Sequence, residues 1–68
     1  MTEGLINHLR ARRMDQGLTQ AQLAAKVSVS RKTINTVENG VFVPSTIVAL
    51  RLARALGTTV ERLFELAD

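Results

Sequence analysis

The 68-residue sequence predicts an all-α fold, a compact bundle of five short helices with a tightly joined helix pair at its centre. Three observations predict it. Apolar residues recur at helical spacing through most of the chain. Helix stop signals fall at short intervals, at Gly17, Asn39-Gly40 and Gly57, where a left-handed C-terminal residue is expected. Start signals interleave with them: Thr19 with Gln22 three residues on, Ser30, Ser45 after Pro44, and Thr58 or Thr59, all hydroxyl side chains able to cap free N–H groups. No segment alternates with period two over a useful length, so no strand is expected.

The first helix is expected over residues 3–16, with Leu5, Ile6 and Leu9 on one face. That face continues into Arg13, a charge where an apolar residue belongs. The second helix, 20–27, offers Leu23, Ala24 and Val27, and the third, 31–39, offers Ile34 and Val37 with Glu38 near its end. Ala24 is small, so the second and third helices can approach closely at a steep angle. Ser28-Val29-Ser30 forms the turn, with Val29 filling the space between the two helices. The fourth and fifth helices, 46–56 and 60–66, are expected to close the core with Ile47, Leu50, Ala53, Leu56, Val60, Leu63 and Phe64. The fourth is apolar nearly all round, leaving Val48, Leu52 and Ala55 off the expected stripe, and part of that surplus is expected to meet another subunit.

Composition narrows the function. The chain has no cysteine and one histidine, so neither a disulfide framework nor a thiolate metal site is expected. There is no glycine-rich phosphate loop and no usefully spaced carboxylate pair, so the expectation is no enzyme, no cofactor and no metal. No apolar run approaches the length of a membrane span, and the first residues lack the layout of a signal peptide. The expected location is cytoplasmic. The net charge of +3 is unevenly spread. Residues 1–32 carry Arg10, Arg12, Arg13, Lys26, Arg31 and Lys32 against only Glu3 and Asp15, whereas the remainder is slightly acidic. Such a bias suits a phosphate backbone, although an ordinary solvated basic face would look the same. Gln20 opens the second helix, where free backbone N–H groups favour an anion.

A further pattern spans nearly the whole chain: Gly17-Leu18-Thr19-Gln20, Leu23-Ala24, Val29-Ser30-Arg31-Lys32-Thr33-Ile34, Glu38-Asn39-Gly40, Pro44-Ser45 and Ala55-Leu56-Gly57. In order and spacing it resembles the helix-turn-helix regulators of the lambdoid phage repressor and Cro type, the xenobiotic-response-element family. The resemblance implies a lambda repressor-like domain over 1–68 that binds double-stranded DNA as a transcriptional regulator, its third helix in the major groove. It implies base-reading positions at Arg31, Lys32 and Thr36, with Asn35 adjacent, and phosphate contacts from Thr19, Gln20, Thr33, Asn39 and Ser45. It also implies an ion pair between Arg13 and Glu38, which would account for the charge on the first helix's apolar face. A homodimer on a pseudo-palindromic operator is expected, formed through Val41–Val43 and the last two helices. The alternative is a protein-interaction module, such as an antitoxin or a transcriptional adaptor, which should expose a more apolar third helix.

Three positions depart from the family's pattern. Ser28 stands where a glycine or similar left-handed residue is usual, so the turn is expected to be strained or altered. Arg12 stands where leucine is common; its stem can cover the core rim while its head stays wet. Val41-Phe42-Val43 replaces a loop that is usually polar or basic.

Overall fold

In the computed structural model, which describes residues 4–67, helix content follows the capping pattern closely. The elements are β1 (Leu5–Asn7), α1 (Leu9–Asp15), α2 (Gln20–Val27), α3 (Arg31–Glu38), α4 (Thr46–Ala55), α5 (Val60–Leu63) and β2 (Phe64–Leu66). Thr19 and Gln22 form a reciprocal capping box at α2, and the hydroxyls of Ser30, Ser45 and Thr59 cap α3, α4 and α5. Each such cap is worth about 1 kcal/mol against alanine. Gly17, just past α1, takes φ +68°, a conformation that a side chain would make costly.

The core lies where α2, α3 and α4 meet. Leu9, Leu23, Val27, Ile34, Val37, Leu52 and Leu63 are fully enclosed, each aliphatic side chain contributing about 1.5–3 kcal/mol by burial. Ala24 sits buried between α2 and α3, and Val29 packs against the core from the turn. The turn enters through Ser28 at φ +60°, ψ +43°, the only non-glycine residue with positive φ among those described. Of the two expected outcomes, strain or an altered turn, the turn is unaltered: Ser28 takes the left-handed conformation usual for glycine.

Two expectations are corrected. The helices expected over 3–16 and 60–66 are shorter, and their outer ends pair as an antiparallel ladder, Leu5↔Leu66, Ile6↔Glu65 and Asn7↔Phe64. The start expected at residue 3 lies outside the described residues. Asn7 explains the change: its Oδ1 accepts from the Leu9 N–H at 2.9 Å, and its side-chain amide donates to the Val37 carbonyl. An asparagine that captures the backbone two residues on competes with helix and starts one afresh. His8 N–H then donates to the Leu63 carbonyl at 2.8 Å, drawing the segment to the far end of the chain. His8 thus precedes α1, and its Nε2 lies 2.9 Å from Glu65 Oε2.

The second correction concerns the inner face of α4. Ile47 and Leu50, expected in the core, are 63% and 56% exposed, and the buried residues are Ala49, Leu52, Ala53 and Leu56. These four occupy the i, i+3, i+4, i+7 positions of one face. Stepping by threes from Ile47 drifts about 60° per step around a helix and so leaves that face. Val48, Leu52 and Ala55, all expected off the core stripe, are instead covered: Leu52 is fully buried, and Val48 and Ala55 are half-buried and pack against the core.

Candidate nucleic-acid interface

Because Ile34 and Val37 bury the inner side of α3, the opposite side of the helix faces outward. Arg31, Lys32 and Asn35 are exposed, Thr33 and Thr36 half-buried. Arg31 and Lys32 make no hydrogen bond or ion pair among the described residues, so two cations stand free on the first turn of this helix. Thr36 is less available. Its hydroxyl donates to the Thr33 carbonyl at 3.0 Å, and it lines a shallow depression with Lys32, Val41 and Phe42. Thr33 is also engaged, its Oγ1 lying 3.0 Å from Ser30 Oγ.

Beneath this surface lies a charged cluster. Arg13 donates from Nε to Glu38 Oε2 at 2.6 Å and from Nη2 to Oε1 at 3.1 Å, and its Nη1 reaches the Leu18 carbonyl at 2.8 Å. The Glu38 side chain is wholly enclosed and that of Arg13 is 11% exposed. Burial pushes the Glu38 carboxyl up, but hydrogen bonds from Arg13 and Gln20 and the charges of Arg13 and Arg10 outweigh it, leaving the group below the ordinary glutamate range. The hydrogen bond to Glu38 raises Arg13 in turn, against its own desolvation. Arg10, to which the sequence assigned no role, holds Nε 3.5 Å from Glu38 Oε1. Its place three residues before Arg13, on the same helical face, was the available signal.

The phosphate candidates divide by what their side chains still have to give. Thr19 and Ser45 accept from Gln22 N–H at 3.0 Å and Val48 N–H at 3.2 Å, and both hydroxyls keep a proton to donate outward. Asn39 is exposed and donates from Nδ2 to Asn35 Oδ1 at 3.2 Å. Gln20 differs. Its amide nitrogen donates to Asn35 Oδ1 at 3.2 Å and to Glu38 Oε1 at 3.1 Å, so both side-chain N–H groups are used within the protein. What Gln20 still offers an anion is its backbone N–H in the first turn of α2, where no carbonyl lies one turn back.

A second, apolar surface adjoins the end of α3, where Val41 and Phe42 border the depression that Lys32 and Thr36 line. The loop Val41-Phe42-Val43 is exposed, and beside it a groove of about 840 Å³ runs between α4 and α5, lined by Val43, Ala49, Leu50, Val60 and Phe64 among others.

Comparison with known proteins identifies the family and the fold. The model of the helix-turn-helix family matches residues 9–63. A relative described as an HTH-type transcriptional regulator, from Methanothermobacter thermautotrophicus, is 51% identical over 49 residues, 72% of this chain and 71% of the relative. Another of the same description, from Methanocaldococcus jannaschii, is 39% identical over 62 residues, 91% of this chain and 94% of its own. Among solved structures, the restriction-modification controller protein C.AhdI from Aeromonas hydrophila is similar with a TM-score of 0.76 and 33% identity, over 79% of this chain and 82% of that one. The clp gene regulator ClgR from Corynebacterium glutamicum is similar with a TM-score of 0.75 and 31% identity, over 79% of this chain and 57% of its own. The chain therefore belongs to the helix-turn-helix family, of the xenobiotic-response-element type, whose members are DNA-binding transcriptional regulators.

Proposed function

We propose that residues 1–68 act as one DNA-binding unit of a transcriptional repressor, with α3 laid in the major groove of its operator. The observation that carries this reading is the pair of exposed, unpaired cations Arg31 and Lys32 on the first turn of α3, beside exposed Asn35. The major groove admits a helix, and the planar fork of arginine matches O6 and N7 of guanine. Lys32 acts on a guanine or a phosphate, and Thr36 on a thymine methyl. Thr19, Thr33, Asn39, Ser45 and the backbone N–H of Gln20 engage phosphates, which set register and carry no sequence information.

A twofold dimer suits this reading, and Val41–Val43 with the exposed face of α4 suits the dimer. Val41, Phe42, Val43, Ile47 and Leu50 are exposed apolar side chains that a monomer would leave wet. Two copies would set their α3 helices about 34 Å apart, one turn of B-DNA. A primary protein-docking role for α3 is disfavoured, because its exposed side chains are charged or amide.

Selection of bound sequences from a random DNA pool tests the reading. The expected result is an inverted repeat whose half-sites lie about one helical turn apart, bound with an affinity that falls steeply with salt. Failure to enrich any sequence, together with binding indifferent to salt, would refute it.

A further inference from the structure

The buried ion pair and the outer face of α3 are joined by a directed chain of hydrogen bonds. Glu38 is ionised and enclosed, and a carboxylate only accepts. Gln20 must therefore turn its NH2, and not its carbonyl, toward Glu38 Oε1, at 3.1 Å. The same nitrogen then meets Asn35 at 3.2 Å, and the atom it meets is Oδ1. Asn39 Nδ2 donates to that oxygen as well, also at 3.2 Å. Asn35 thus has its carbonyl occupied twice from within, while its Nδ2 makes no bond among the described residues and belongs to an exposed side chain. Each link forces the polarity of the next.

This matters for base choice, because a free asparagine pairs best with adenine, donating to N7 and accepting from N6. Here the acceptor half of that pairing is already spent. What remains is a donor-only amide, matched to an edge that presents acceptors alone. Guanine, with N7 and O6, is such an edge, whereas the N4 amino group of cytosine opposes it. Resting on the reading of α3 as the groove helix, we infer that Asn35 is a specificity-determining residue locked as a donor by Arg13, Glu38 and Gln20, selecting guanine over adenine at the base pair it faces. Gln20 is then a positioning residue whose side chain acts on sequence choice through Asn35.

The experiment compares selected sites for the parent, Asn35→Ala and Gln20→Met, with the side-chain amide signals of the free proteins followed by NMR. Asn35→Ala should identify the position, by erasing a guanine preference there. Gln20→Met should keep that position informative and admit adenine, changing the guanine-to-adenine ratio by about ten-fold, within the range of one base contact. In the free parent, the Gln20 NH2 should exchange with water more slowly than that of Asn35, and the Asn35 signals should move in Gln20→Met. A general loss of affinity with unchanged base preferences in Gln20→Met would overturn the inference. So would an adenine preference at the Asn35 position in the parent, or equal exchange of the two amides. Absence of any enriched site for the parent would instead refute the groove reading beneath it, while the NMR comparison still reports on the chain of hydrogen bonds.

Discussion

Replacing Glu38 with alanine should lower the melting temperature by about 10–20 °C, because it strands a guanidinium that the fold has largely enclosed. Arg13 would lose both bonds to Glu38 and keep the Leu18 carbonyl. Gln20 would lose one acceptor. Breaking a fully buried pair costs about 3–5 kcal/mol. The Arg13 side chain is 11% exposed, and beside the vacated site water would recover part of its solvation, which brings the expected cost to about 2–3 kcal/mol. Small domains lose about 4–8 °C per kcal/mol. Far-UV circular dichroism melts at neutral pH read the shift directly. The double variant Arg13→Met with Glu38→Ala should recover part of the loss, since both charges are then gone and the site can pack dry. A Glu38→Ala melt within about 2 °C of the parent, under 0.5 kcal/mol on the same scale, would refute the energetic argument, as would a double variant no more stable than the worse single one.

Other expectations follow from the same geometry. Ser28→Gly should raise the melting point by a few degrees: relief of a left-handed residue, about 1–2 kcal/mol, exceeds the added entropy of an unfolded glycine, about 0.5–1 kcal/mol. An unchanged or lower melt would count against strain at that turn. Acidification should weaken the fold through Glu38. Its folded-state value is depressed, so its stabilisation is complete above the ordinary glutamate range and fades as pH falls through the lower folded value. The Glu38→Gln variant should show a shallower dependence in that window. Leu50→Lys, on the exposed face of α4, should shift sedimentation toward the monomer and leave the helical spectrum intact; unaltered self-association would put the dimer contact elsewhere.

Much of the site was legible because local chemistry dictates it. Thr19 with Gln22, Ser30 and Ser45 each name a helix start within four residues of sequence, and Ala24 with Val29 names the tight turn. What was not legible depends on partners far away. Leu5-Ile6-Asn7 carries the spacing of a helix, and only Phe64-Glu65-Leu66 at the other end makes it a strand. The phase of α4 is likewise set at a distance, since Ile47 and Leu50 are as apolar as Ala49 and Leu52, and the neighbours decide which pair is covered. Gln20 illustrates the same divide at the interface: its position at a helix start is local, but the commitment of its amide to Glu38 and Asn35 is set by the packing of α2 on α3.

The β1–β2 ladder also has a kinetic consequence. The helices and the tight turn of α2 and α3 form from contacts near in sequence, which close quickly. The ladder joins Leu5 to Leu66, so its closure entropy is that of nearly the whole chain, a cost met only once the helices have shortened the distance between its ends. It therefore belongs to the late steps of folding. Weakening it should leave the refolding rate almost unaltered and quicken unfolding, which makes these six residues a clasp governing how long the folded molecule lasts more than how fast it is made.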